Sequence, residues 1–216
     1  MIDFHTHSLL SDGALIPTEL VRRAKVIGYT AMAITDHADE SNIDTVLKQI
    51  IKVARQLNSD KSFKVIPGVE LTHIPPAHIP VMVKKARALG AKLVVGHGET
   101  LSEPVETGTN MAYIKAQVDI LAHPGLISED ECRLAVKKNV YLEITSRAGH
   151  SISNGHVAAM AKKHGAKMLV NTDSHAPGDL ITDERALKVA LGAGLDNTDF
   201  RRITENAQEL VKKIRP

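Results

Sequence analysis

From Ile2 onward, short apolar runs of β-type residues alternate with helix-length amphipathic segments, and each run ends in polar residues with His, Asp or Glu among them. Such alternation is the signature of repeated βα units and a parallel sheet. Seven runs are legible, at 2–7, 31–36, 64–71, 92–97, 120–123, 141–145 and 167–172. Helices are predicted between them at 17–27, 43–57, 79–89, 109–117, 128–138, 153–164 and 184–191, and a last one at 198–213 follows the seventh unit. Pro17 stands at an early helical position, and Gly28, Gly90 and Gly165 stand where helices should stop.

No Pro/Gly/Ser-rich linker or low-complexity stretch interrupts the series, so residues 1–216 read as one α/β domain. Seven units suggest a distorted, TIM-like (β/α)7 barrel. A doubly wound open sheet is the alternative, because a count of units does not show closure.

Composition narrows the function classes. With 43% hydrophobic and 24% charged residues, the chain has ordinary globular usage, and 27 Lys plus Arg against 25 Asp plus Glu is too balanced for a polyanion-coating protein. Only 3% of residues are aromatic and none is Trp, which leaves little material for a base-stacking platform and favours a compact pocket over stable nucleic-acid binding. Cys132 is the only cysteine, so neither an internal disulfide nor a Cys-based zinc module can form, and a reducing cytoplasm is the expected location. No window approaches the ~18 apolar residues of a membrane span, and the N-terminus has neither a basic nor an apolar leader region. Candidate ligands as early as His5 and His7 leave no room for a cleaved leader.

Eleven histidines are the compositional surplus, and their positions are patterned. His5 and His7 end the first predicted strand, His37 the second, His97 the fourth, His123 the fifth and His175 the seventh. In a parallel barrel the C-terminal strand ends form the working rim, so these six converge there. Side chains two apart on a strand share a face, which pairs His5 with His7 and Asp173 with His175. Glu70 at the end of the third strand and Asp12 in the loop after the first add carboxylates. Imidazole with carboxylate suits Zn²⁺, Mn²⁺ or Fe, whereas Mg²⁺ and Ca²⁺ prefer all-oxygen shells.

Other residues have two readings. Arg147, after the sixth strand, is a phosphate clamp or a surface ion pair; His150 in the same loop is a general acid or a substrate contact. Asp3, Asn171 and Glu143 line the inner face as polar packing or as groups orienting imidazoles, Asp36 is an orienting group or a strand-end cap, and Glu99 is a candidate behind His97. His73 and His78, in a Pro-rich loop, read as surface residues bordering the pocket at most. His156 and His164 read as solvated helix residues, and Cys132 as a small core residue.

The ordered blocks HTHS with Asp12, TDH at 35–37, PGVE at 67–70, GHGE at 96–99, AHPG at 122–125 and TDSH at 172–175 resemble the PHP (polymerase and histidinol phosphatase) family over almost the whole chain. The resemblance implies a distorted (β/α)7 barrel with a trinuclear centre that hydrolyses phosphoesters. Carried over, His5, His7, Glu70 and Asp173 hold the first ion, Glu70 bridges to a second held also by His97 and His123, and Asp12, His37 and His175 hold the third. Some family members carry His where this chain has Asp12, so an oxygen ligand bears on the choice of the third ion. The expected enzyme is a phosphatase that uses three divalent ions (Zn, Mn or Fe) and hydrolyses a small phosphomonoester similar to histidinol phosphate, by attack of a metal-bridging hydroxide on phosphorus. A phosphodiesterase or 5′-3′ exonuclease acting on short oligonucleotides is the alternative. No GxSxG, P-loop or Cys-phosphatase motif competes with this reading.

Overall fold

The computed structural model describes residues 1–214. Eight strand segments appear in the order β1 (Ile2–Asp3), β2 (Ala31–Ile34), β3 (His37–Ala38), β4 (Lys64–Leu71), β5 (Leu93–His97), β6 (Ile120–Ala122), β7 (Tyr141–Thr145) and β8 (Met168–Asn171). Between and after them run α1 (Pro17–Ile27), α2 (Ile43–Leu57), α3 (Ile79–Ala88), α4 (Thr109–Lys115), α5 (Glu129–Lys138), α6 (Asn154–His164), α7 (Asp183–Gly192) and α8 (Asn197–Lys213). β2 and β3 are one barrel strand in a single register on β4, with Ala31 opposite Lys64 and His37 opposite Glu70. The ladder breaks near Pro67, which has no N–H to give. Seven barrel strands therefore correspond to the seven predicted units.

All pairings are parallel, in the order β1-β2-β4-β5-β6-β7-β8. The doubly wound alternative fails at the sheet's ends, because chain continuing from β1 meets chain continuing from β8. Thr6 bridges Ser174 in parallel, the His7 N–H donates to the Ser174 carbonyl at 2.9 Å, and the Asp173 N–H donates to the His5 carbonyl at 2.9 Å. The result is a nearly closed, TIM-like barrel. Strands buried on both faces explain the unbroken apolar runs Ala31–Ile34 and Leu93–Val95.

Helix ends follow local chemistry. Gly28 closes α1 in the left-handed region at φ 104°, and Ser128 with Glu131 forms a capping box at the start of α5.

The inner face of each strand is graded along its length. Ile66, Leu93 with Val95, Ile120 with Ala122, Tyr141 and Leu169 fill the N-terminal half of the barrel, where Ala207, Leu210 and Ile214 at the end of α8 seal it. Further along the same strands stand Glu70, four residues past Ile66, and His97, Glu143 and Asn171, two past Val95, Tyr141 and Leu169. Apolar packing below thus supports a polar layer above, at the end where the loops open. A cavity of about 730 Å³ lies near the foot of the barrel, bordered by Phe63, Val65, Ile66 and Ile214, and has none of the histidines in its lining. No helix among the described residues is long and apolar enough to cross a membrane.

Candidate metal centre

All nine side chains read as ligands converge at the C-terminal mouth of the barrel. His5, His7, Glu70, His97, His123 and Asp173 are buried, whereas the side chains of His37 and Asp12 are 26% and 55% exposed, so the cluster reaches from the interior to the rim. In the innermost group His5 Nε2 lies 3.2 Å from Glu70 Oε2 and 3.5 Å from Asp173 Oδ1, and His7 Nε2 lies 3.6 and 3.1 Å from the same two oxygens. A tetrahedral ion with bonds near 2.1 Å separates its ligand atoms by ~3.4 Å, so each of these four N···O contacts has the length of a coordination-shell edge. The second carboxylate oxygen, Glu70 Oε1, lies 3.6 Å from His123 Nε2, and Glu70, His97 and His123 form a second group. At the rim, Asp12 Oδ2 lies 3.2 Å from His175 Nε2 and 3.6 Å from His37 Nε2, with His7 completing the third group.

Hydrogen bonding tests whether the donors fit ions. Among the described residues, the buried side-chain polar atoms without an aligned hydrogen-bond partner include His5 Nε2, both nitrogens of His7, both oxygens of Glu70, His97 Nδ1, His123 Nδ1 and Asp173 Oδ1. Leaving a buried polar atom unpaired costs about 1–3 kcal/mol, and such atoms are rare in folded proteins. Their concentration at one point fits divalent ions held by nitrogen and oxygen.

Charge within the cluster is divided. Burial and the neighbouring His37 and His5 rings hold the His7 pKa well below an ordinary histidine, and burial with His97 does the same for His123, leaving ligand-competent neutral rings. Burial opposes charge on His5, but Glu70, Glu143 and Asp173 outweigh it and raise its pKa. Burial likewise opposes charge on Glu70, whose carboxylate is nevertheless held well below the usual range by His5 and His37. Burial, reinforced by Glu70 and Glu143, pushes Asp173 up to about 7 against the pull of His5.

Behind the cluster a fixed polar layer sets ring orientation. Glu143 Oε2 lies 2.8 Å from His5 Nδ1 and accepts from Asn171 Nδ2 at 2.9 Å, while Oε1 accepts from the His123 N–H at 3.2 Å. This leaves His5 Nε2 facing the centre. Asp3 accepts from the Thr172 hydroxyl at 2.6 Å and from the His5 N–H at 3.1 Å, tying the first strand to the last. Asp36 Oδ1 accepts from the Ser8 and Ser11 N–H groups at 2.8 and 3.1 Å and so anchors the loop that carries Asp12. His123 and Asp173 adopt φ of 27° and 53°, left-handed conformations uncommon outside glycine.

Comparison with known proteins agrees with this geometry. The PHP domain family matches residues 3–170. The chain belongs to the PHP family. It is 52% identical over 215 residues to an uncharacterized protein of Methanocaldococcus jannaschii, covering 98% of this chain and 99% of that one. It is 28% identical over 239 aligned positions to a probable phosphatase of Thermoanaerobacter sp., covering 99% and 97%. In fold it is similar to a chain in the cryo-EM structure of archaeal ribonuclease P with mature tRNA, with TM-score 0.72 and 18% identity over 97% of this chain and 89% of that chain. PHP proteins thus include phosphatase-like chains, and the fold also occurs within an RNA-processing assembly.

The remaining candidates divide. Arg147 stands on the rim, its Nη1 donating to the Asp173 carbonyl at 3.1 Å and its Nε 3.5 Å from Asp173 Oδ2. His150 stacks on His123 with ring centroids 4.3 Å apart and lies 2.7 Å through Nδ1 from the Thr100 hydroxyl. Glu99 turns away from His97, because its Oε1 accepts from the Gly108 and Asn110 N–H groups at 2.9 Å and caps α4. His78 is exposed, but His73 leans over the mouth, its ring centroid 5.1 Å from that of His97. His164 is not solvated as expected: its side chain is 11% exposed and lies 3.6 Å from Glu129. His156 lies 2.8 Å through Nε2 from the Ile127 carbonyl, and Cys132 is a buried core residue as expected.

Glu103 has no counterpart among the residues singled out by sequence. Its Oε2 lies 3.2 Å from His97 Nε2 and 3.1 Å from His73 Nε2, and its Oε1 lies 3.4 Å from His150 Nε2. The hydrogen bond to His97, outweighing partial burial, holds its carboxylate down to about 2. Nothing in the run 101–108 marks Glu103 above Glu106; the loop's path alone selects it.

Proposed function

We propose that residues 1–216 form a cytoplasmic, metal-dependent phosphoesterase domain that hydrolyses a small phosphomonoester of the histidinol phosphate kind. The observation that carries the reading is the set of unpaired buried nitrogens and oxygens on His5, His7, Glu70, His97, His123 and Asp173, continued to the rim by Asp12, His37 and His175. Three divalent ions of the Zn, Mn or Fe type suit these donors, with Glu70 giving one oxygen to each of two groups. Bound there, such ions supply Lewis-acid polarisation of a phosphoryl group and activate water near neutral pH.

This chain's own residues do the rest. Glu143 holds the His5 ring with Nε2 inward, and Asp36 holds the loop of Asp12. The Arg147 guanidinium, on the rim beside Asp173, meets the non-bridging oxygens of an incoming phosphate. Burial lowers the His150 pKa, which favours a neutral ring that orients substrate through Nε2 over one that delivers a proton. The absence of Trp and the 3% aromatic content favour a small phosphorylated metabolite over a stacked strand.

The test is hydrolysis of an aryl phosphate by protein reconstituted with Mn²⁺, Zn²⁺ or Fe²⁺, with loss of at least about 10³-fold expected in His7→Ala and a smaller, KM-weighted loss in Arg147→Ala. Undiminished turnover after complete metal stripping refutes the proposal. Histidinol phosphate set against a short 5′-phosphorylated oligonucleotide separates the monoesterase from the exonuclease reading.

A further inference from the structure

Two loops meet over the mouth of the barrel, one following β4 and carrying His73, the other following β5 and carrying Glu103. His73 Nε2 and His97 Nε2 lie 3.1 and 3.2 Å from the same oxygen, Glu103 Oε2, and the three side chains form a group with metal-ligand spacing. Those separations approximate the ~3.4 Å edge of a tetrahedron with bonds near 2.1 Å. We propose that His73, His97 and Glu103 form an outer divalent-cation site, suited to zinc and sharing only His97 with the three inner groups, that pins the two loops together across the entrance. The proposal rests on the reading of the inner centre only in sharing His97.

Three features of the chain support it. First, two imidazoles and one carboxylate are a donor set that zinc takes with one position left for water, and they disfavour Mg²⁺. Second, the backbone under each imidazole is set: His73 has φ of 51°, a left-handed conformation uncommon outside glycine, and His97 ends a fully buried strand. The Glu103 loop is fastened on both sides, by Glu99 accepting from the Gly108 N–H at 2.9 Å and by the Ser102 hydroxyl donating to the Gly149 carbonyl at 2.6 Å. Third, His97 offers two nitrogens. Nε2 faces Glu103, whereas Nδ1 is buried without a partner, so an ion on Nε2 leaves Nδ1 free.

The experiment is a zinc titration of the metal-loaded protein against a chromophoric chelator, comparing wild type with His73→Ala, Glu103→Gln and a His78→Ala control. Wild type and His78→Ala should bind one more zinc ion than the tightly held inner set, and both outer-site variants should bind that extra ion at least about tenfold more weakly while keeping the inner ions. His73 is exposed and Glu103 is half-buried, both on loops outside the apolar core, so these variants keep that core. Equal affinity for the weakest-bound ion in all four proteins overturns the proposal, as does loss of the inner ions in His73→Ala. The count is independent of turnover: an inactive protein that still shows the extra ion refutes the phosphoesterase reading and leaves the outer site standing.

Discussion

Glu143→Gln isolates the layer beneath the candidate metal centre. The wild-type side chain serves three donors, His5 Nδ1 at 2.8 Å and Asn171 Nδ2 at 2.9 Å through Oε2, and the His123 N–H at 3.2 Å through Oε1. Gln has one acceptor oxygen. Placed toward His5 and Asn171 it keeps two bonds and turns its amide against the His123 N–H; placed the other way it opposes two donors. The first arrangement costs less, and it still loses one hydrogen bond to a charged group, about 1.5–3 kcal/mol. It also weakens the grip on His5 and the backbone of His123, both candidate ligands. Loss of such a supporting partner typically lowers metal affinity 10–100-fold, or about 1.4–2.7 kcal/mol. The assay is chelator competition for zinc at neutral pH, paired with thermal unfolding of the metal-stripped protein to establish that the variant folds. A folded Glu143→Gln protein with metal affinity within twofold of wild type would refute the claim that this residue orients the centre.

Two further outcomes follow from the geometry. Gly125 has φ of +59°, and a Cβ there would stand 1.8 Å from the Glu99 carbonyl oxygen, so Gly125→Ala should cost about 2–5 kcal/mol in denaturant unfolding from left-handed strain and overpacking combined; a cost below about 1 kcal/mol would contradict the close approach. Burial raises Asp3 from 3.8 to about 6. A raised acid stabilises the fold below its unfolded pKa and loses that contribution as pH climbs through the folded one, so between about pH 4 and 7 the metal-stripped wild type should lose about 3 kcal/mol relative to Asp3→Asn. Parallel stability profiles for the two proteins would show that Asp3 does not titrate in this way.

The order of elements and the identity of the nine clustered side chains were legible in the sequence for a local reason. Strand and helix periods are short-range, and a ligand at a strand end carries its address in the strand itself, so His5, His7, His37, Glu70, His97, His123 and Asp173 could be assigned to one rim before any contact was known. The residues around them carry no such address. Strand alternation would put Glu99 on the same face as His97, yet β5 stops at His97 and Glu99 serves the N–H groups of Gly108 and Asn110, because unpaired donors at a helix start draw a nearby carboxylate. Glu103 reaches His97 and His73 only because its loop folds back over the mouth, and the His73 backbone takes a left-handed turn that no local pattern announces.

Closure was likewise beyond the sequence. Whether seven parallel units make an open sheet or a barrel depends on whether the first and last strands meet, which the Thr6–Ser174 bridge decides through accumulated twist and stagger. The sequence by itself determined which side chains stand at the strand ends and therefore which chemistry is available. The tertiary structure alone decided that they face one another a few ångströms apart, because that distance depends on closing the barrel across more than 160 residues of chain between His5 and Asp173, a separation over which periodicity holds no information.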